Sequence, residues 1–383
     1  MSLPQTSKVA TYVAALQTLD EQDRLRRLSP RAGIDFSSND YLALATEPRI
    51  RKALVAALES GTPIGAGGSR LLRGNCDEHD DLEAAAARFF EGEASLFFGG
   101  GYVANFALLI TLPQKDDLLV LDALVHASIH EGARSGRAEV RVCLHNDPES
   151  VESEIRDWCA RGGTGRVWIV VESVYSMDGD LAPLPELVTI ADRHDAFLIV
   201  DEAHATGVYG ESGEGLTGGY KGRENLVVVH TCGKALGAVG ALVVLSRVLR
   251  DFMVNRCRPF VFATAPSPLM AVAVREALSI LKDEPERRQR LSGLVGFAHR
   301  EMVSRFGQSP SSSQIIPYIV GDNARTMRLA ATLQARGFDI RGIRPPTVPA
   351  GTARLRISLT LNVVQDDVRA MFDALAEARE QLA

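Results

Sequence analysis

The sequence predicts an α/β protein with a mainly parallel central sheet in a large domain and a smaller α+β domain after it. Three observations carry that reading. From about residue 94 to 245, short β-branched runs alternate with helical stretches. These runs are apolar without alternation, as in strands covered on both faces. Beyond Pro266 the pattern changes to long helical spacing and then to a β-α-β-β-α order.

Taken in order, residues 1–45 form an N-terminal helix and arm, with Val9, Tyr12, Val13, Leu16 and Leu19 at helical spacing. Residues 46–267 form the large domain. Its clearest strands are SLFF (95–98), LLVLD (118–122), VWIVVES (167–173), FLIVDE (197–202) and LVVVH (226–230). ESVESEIRDWCARG and PLPELVTIADRHD supply helices between them. Residues 268–383 form the small domain. A long helical region runs from Pro268 to about Phe306, and the PSSSQ loop follows it. Then come the strand IIPYIV, the helix RTMRLAATLQARG, the strand FDIRGI, the turn PPTVPAG, the strand RLRISLT and a closing amphipathic helix.

Composition excludes several function classes. The 383 residues carry 42 Lys and Arg against 48 Asp and Glu, a net charge of −6, with no basic stripe for nucleic acid. Five scattered cysteines show neither CxxC nor zinc spacing, which fits a reducing compartment. No apolar run is long enough to span a bilayer, and the N-terminus lacks the apolar core of a signal peptide. A cytoplasmic protein is expected.

In open parallel sheets, ligands sit beyond the carboxyl ends of the strands. SLFF is followed by GGGYVAN, and glycine amides opening a helix suit a phosphate. The GxGxxG dinucleotide spacing is absent. LLVLD leads to His126, VWIVVES to Ser176, FLIVDE to Asp201 and His204, and LVVVH to Thr231 and Lys234. His126 and His130 have the i, i+4 spacing of metal ligands, but the HExxH glutamate is missing, so no metal is expected. Ser176 lacks the GxSxG elbow of a hydrolase nucleophile.

Together these groups suit pyridoxal 5′-phosphate better than any other cofactor. It needs a lysine for covalent attachment, an acid against its ring nitrogen, a phosphate cradle and a flat partner for the ring. Lys234 lies alone within VVVHTCGKALGAVGALVV, where an unpaired buried ammonium would be costly. Attached as an imine, it needs no counter-ion.

SSNDYLAL, GGSRLLRGN, GGYVAN, VHASIHEGAR, ESVYSMDGDLAPL, VDEAHATGVYG, TCGKALG and RPPTVPAGTARLRISLT fall in order from about residue 20 to the C-terminus. In these motifs the chain resembles the α-oxoamine synthases, fold-type I pyridoxal-phosphate enzymes that condense an amino acid with an acyl thioester and release carbon dioxide. The resemblance implies that Lys234 carries the cofactor, Asp201 faces its ring nitrogen, His204 its phenolic oxygen, and His126 stacks on its ring. It implies a phosphate contact at Gly101 and Tyr102, and hydroxyls from Ser176 and Thr231. Lys234, His126, Asp201 and His204 are the implied catalytic residues. Arg356 resembles the arginine that takes the amino acid's carboxylate, a task suited to its bidentate fork. Arg26, Asn39 and Thr347 resemble the other substrate-side residues.

The resemblance in the C-terminal third implies L-alanine and a pimeloyl thioester, as pimeloyl-CoA or pimeloyl-acyl carrier protein, in biotin biosynthesis, and the family implies a homodimer. Other α-oxoamine synthases, such as glycine C-acetyltransferase, share the catalytic core. A non-catalytic partner subunit of the same fold is opposed by the intact Lys234. The chain departs from the family at Cys232 before the GK, at Tyr102 where phenylalanine is frequent, and in FATAPSP. There, by resemblance, Thr264 could reach a neighbouring subunit's phosphate.

Overall fold

The computed structural model describes residues 8–28, 30–308 and 313–382. Residues 1–7 of the N-terminal arm and 310–312 of the PSSSQ loop lie outside them. Among the described residues a seven-stranded sheet is built from β1 (Ala94–Phe98), β2 (Leu118–Asp122), β3 (Glu139–Cys143), β4 (Val167–Glu172), β5 (Phe197–Asp201), β6 (Leu226–Thr231) and β7 (Ala241–Leu245). The spatial order is β1-β7-β6-β5-β4-β2-β3. The pairs β2–β3, β2–β4, β4–β5 and β5–β6 are parallel. Only β7 runs against its neighbours β1 and β6. The carboxyl ends of β1 to β6 therefore share one edge.

Every residue of β1, β2, β4, β6 and β7 is buried. Helices cover both faces, which is why the strands read as continuous apolar runs. Each fully buried Leu, Ile or Val contributes about 1.5–3 kcal/mol, so the sheet makes a rigid base for the groups at its edge. Leu119, Ile169, Ile199 and Val227 all belong to its buried core. β3 and β7 are absent from the strands named above. β3 is only partly buried, and β7 follows a glycine-punctuated stretch that masks its start.

The long region after Pro268 is two helices, Pro268–Asp283 and Glu286–Phe306. The break falls at Glu284–Pro285, because proline lacks the N–H needed to continue a helix. The first of the two packs on α2 and α3, that is Pro48–Glu59 and Asp77–Phe89. A second sheet orders β9-β10-β8 antiparallel, from β8 (Ile315–Gly321), β9 (Arg341–Ile343) and β10 (Ala353–Ser358). Helices Asn323–Ala335 and Gln365–Gln381 complete the expected order.

Residues 34–35 pair in parallel with 338–339, Ser358 N donates to Phe36 O, and Leu361 N donates to Tyr41 O. The segment that carries Asn39 and Tyr41 is thereby stitched to the strand that carries Arg356. The N-terminal helix α1 (Ala10–Glu21) forms as expected, but none of its residues is buried. Val9, Tyr12, Val13 and Leu16 are exposed among the described residues.

Candidate active site

Lys234 sits in the loop between β6 and β7. Cys232 N donates to Gly240 O, Ala238 N to Cys232 O, and Gly237 N to Lys234 O, each at 2.9 Å. Gly237 has φ +62°, and a Cβ there would fall 2.3 Å from the Leu44 carbonyl carbon. Only glycine lets the loop pack on the 44–45 backbone. Cys232 is completely buried beside Ala235 and Leu236, so its place is a packing one.

Lys234 Nζ lies 2.7 Å from His204 Nε2, and His204 Nδ1 lies 2.6 Å from the Tyr41 hydroxyl. Tyr41 donates to Asn39 Oδ1 at 3.0 Å, so towards His204 it accepts. His204 Nδ1 therefore carries the proton, and Nε2 accepts from Lys234. Asn39 Oδ1 also accepts from Arg356 Nη2 at 3.1 Å. The amine and the guanidinium thus stand at opposite ends of one hydrogen-bonded chain. Burial, reinforced by Lys234 and Arg356, holds His204 neutral well below its usual range. Burial likewise depresses the Lys234 ammonium to about 8, against the pull of Asp201 and Glu172.

Arg356 is 7% exposed. Its Nε donates to Ser176 O and its Nη1 to Ser358 Oγ, each at 2.6 Å, which fixes the fork on β10. The neighbouring Arg354 pairs with Asp178 of the same 173–182 hairpin. Arg26 Nη2 reaches Thr347 Oγ1 at 3.3 Å, and both line an open cavity of about 590 Å³ with His126, Ser176 and Met177.

Asp201 ends β5 beside Glu172, its register partner on β4. Its Oδ1 accepts from Ala203 N at 2.8 Å, and its Oδ2 from Asn105 Nδ2 at 2.6 Å. Asn105 also donates to Ser128 Oγ at 3.1 Å, and Ser128 Oγ bonds His126 Nδ1 at 2.8 Å. Ser128 N donates to that same Nδ1, so the His126 proton is on Nε2. Burial, and then the nearby Asp201, push the Glu172 carboxyl well above its usual range.

Gly101 opens α4 (Gly101–Thr111), whose first-turn N–H groups lack helical partners. A Cβ on Gly101 would lie 3.0 Å from Thr231 Oγ1. A side chain would therefore fill the space between that helix end and the Thr231 hydroxyl. The Tyr102 ring meets His126 edge-on at 6.2 Å. Thr264 is exposed.

The donor set fits pyridoxal 5′-phosphate. It offers an amine of lowered basicity, a buried carboxylate held by two donors, an anion-ready helix end with no side chain in the way, and an imidazole anchored through Ser128. Lys234, His204, Asp201, Asn39 and Arg356 are brought together, as are Gly101 with Thr231 and Arg26 with Thr347. Tyr41, Asn105, Ser128 and Glu172 escaped the sequence reading. Asn105 carried a local signal, because it lies one helical turn from Gly101 on the same face. Tyr41 carried none. No group of three or more acidic, His or Cys side chains able to hold a metal occurs among the described residues.

Fold and site together define a fold-type I pyridoxal-phosphate transferase. The chain belongs to the aminotransferase class I and II family, which matches residues 31–375, and among its members to the 8-amino-7-oxononanoate synthases. It is 37% identical to the 8-amino-7-oxononanoate synthase of Chromobacterium violaceum, over 95% of this chain and 97% of the relative. Among solved structures, the serine palmitoyltransferase of S. paucimobilis with bound PLP superposes with a TM-score of 0.89, at 26% identity and 99% coverage of both chains. The 8-amino-7-oxononanoate synthase of Francisella tularensis superposes with a TM-score of 0.77, at 26% identity, covering 91% of this chain and 98% of that one.

Proposed function

We propose that the chain uses pyridoxal 5′-phosphate to condense L-alanine with a pimeloyl thioester, giving 8-amino-7-oxononanoate, carbon dioxide and free thiol, a step of biotin biosynthesis. Beyond the family, the observation that carries this reading is the chain Lys234–His204–Tyr41–Asn39–Arg356. It sets an amine and a carboxylate-binding fork in fixed relation to each other.

Bound pyridoxal phosphate supplies an electron sink for negative charge at the amino acid's α-carbon. Lys234 and Asp201 would hold it with His204, His126, Ser176, Thr231 and the Gly101–Tyr102 amides. Arg356 would take alanine's carboxylate, with Asn39 holding the guanidinium in place. Lys234, its basicity lowered to about 8, would remove the α-proton and later return one. The new carbon–carbon bond forms between that α-carbon and the thioester carbonyl, the thiol leaves, and alanine's carboxylate departs as carbon dioxide. His126 Nε2–H would donate towards the acyl oxygen. Arg26 and Thr347 would face the acyl chain in the cavity lined by Leu124, Val125, Met177 and Val348.

The division into an arm (1–45), a large domain (46–267) and a small domain (268–383) belongs to the same proposal, as do a homodimer and a cytoplasmic location. The exposed Leu72 (86%) and Phe262 (71%) support a covering second copy. No helix among the described residues is long and apolar enough to cross a membrane. The test is thiol release with L-alanine, glycine or L-serine, each against pimeloyl-CoA, acetyl-CoA and palmitoyl-CoA. Turnover of alanine with pimeloyl-CoA is expected. Turnover of glycine with acetyl-CoA, or of serine with palmitoyl-CoA, and none of the alanine pair, overturns the reading.

A further inference from the structure

His145 lies two residues beyond β3, outside every group used so far. Its Nδ1 faces Asp122 Oδ1 at 2.8 Å and its Nε2 faces Asp180 Oδ2 at 2.7 Å. An ionised carboxylate only accepts, and a neutral imidazole has a single N–H. Both ring nitrogens must therefore donate, which makes the ring an imidazolium. The Tyr175 ring closes one side of it edge-on at 4.4 Å. Asn146 doubles the link, with its N donating to Asp122 Oδ2 at 2.8 Å and its Nδ2 to Asp180 Oδ2 at 2.7 Å.

The two carboxylates adjoin two different segments that line the 590 Å³ cavity. Asp122 ends β2 and accepts from Leu124 N at 2.8 Å, which sets the course of 123–126 up to His126. Asp180 sits in the hairpin closed by the Val174–Leu181 bridge, whose tip carries Ser176, Met177 and Asp178. Ala123 to His126 and Tyr175 to Asp178 both line the cavity. Through Ser176 O and Asp178 the same hairpin holds Arg356 and Arg354.

We propose that His145, as an imidazolium bonded to Asp122 and Asp180, is a positioning residue that sets the separation of the His126 and Ser176 segments, and with it the affinity for cofactor and acyl chain. Identifying the occupants of the cavity rests on the function proposed above; the ionic strap between the segments does not. Burial alone would make the ring less basic, but Asp122 and Asp180 raise it to about 10. Burial keeps the Tyr175 hydroxyl protonated, pushes the Cys143 thiol up to about 12, and Asp147 is occupied in capping Ser150 N. A group raised from about 6.5 in the unfolded chain contributes fully below that pH. The contribution then fades, and is lost as pH rises through about 10.

The test compares the wild type with His145→Gln and Asp180→Asn. In cofactor-free protein, nitrogen NMR of histidine at pH 8 is expected to show both His145 ring nitrogens protonated. Hydrogen exchange in His145→Gln is expected to accelerate together in segments 122–130 and 173–182. Its dissociation constant for pyridoxal phosphate is expected to rise about tenfold, as follows when one partner of a partly buried charge cluster is removed. The KM for the acyl donor should rise more than kcat falls. Asp180→Asn should move the same readouts less, and it decides the matter if His145→Gln does not fold. A neutral ring, faster exchange confined to 144–147, or cofactor affinity within about twofold of wild type beside a lowered Tm overturns the proposal. Apart from the KM and kcat comparison these readouts need no turnover, so a wild type that fails to use pimeloyl-CoA would sink the proposed function and leave this inference standing.

Discussion

Tyr41→Phe tests the protonation pattern around Lys234. The substitution removes one oxygen atom from a fully buried ring and leaves the packing unchanged. It deletes the 2.6 Å bond to His204 Nδ1 and the 3.0 Å bond to Asn39. His204 then has two courses. It can keep its proton on Nδ1 without an acceptor, at a cost of about 1–3 kcal/mol. Or it can move the proton to Nε2, where it can no longer accept from Lys234. Either course weakens the hold on the ammonium, and a loss of about 1.4 kcal/mol corresponds to one pKa unit. The Lys234 value of about 8 should therefore drop towards neutrality. The assay is the rate at which cofactor-free protein captures pyridoxal phosphate, followed by its visible absorbance across pH. Wild-type capture should rise about fivefold from pH 7 to 8 as the free amine appears, nearly double again by about pH 9, and then level off. In Tyr41→Phe the midpoint should move down by about one unit. A midpoint unchanged in the variant would refute both the proton assignment and the relay.

Arg356→Lys keeps the charge but loses the fork shared by Ser176, Ser358 and Asn39, so kcat/KM for L-alanine should fall about 10- to 100-fold, with the acyl-donor KM little changed in steady-state kinetics. Ser128→Ala cuts the link from His126 to Asn105 and frees the His126 ring, and a weakened cofactor affinity by absorbance titration is expected. If the affinity holds, His126 is anchored by something other than Ser128. Gly237→Ala drives a Cβ into the Leu44 carbonyl at a left-handed φ, which should cost at least about 2 kcal/mol and appear as a lower Tm with lost cofactor binding. Gly219→Ala, where a Cβ meets nothing within 4 Å, is the control and should leave both unchanged.

Lys234, Asp201, Thr231 and Gly101 could be found without coordinates because each follows an apolar run too continuous to be anything but a buried strand. In a parallel sheet, chain direction alone assigns such tips to one edge. Arg356 could be found only through the resemblance of RLRIS, since strand pattern does not say which of two arginines points into the site. Both Arg354 and Arg356 are buried, and Arg354 is spent on Asp178.

What the sequence determined by itself was local and periodic: the covered strands, their order along the chain, the polar group after each, and a lone lysine whose company at the other strand ends pointed to a covalent use. The tertiary structure decided which distant groups meet. Tyr41 reaches His204 across 163 residues, Asn105 reaches Asp201 across 96, and His145 joins Asp122 to Asp180 across two loops. Such contacts leave no periodic trace, because the hydrogen bond depends on where whole elements pack. The exposed face of α1 belongs to the same class: its spacing made it a helix, but only packing could say that none of its residues is buried among the described residues.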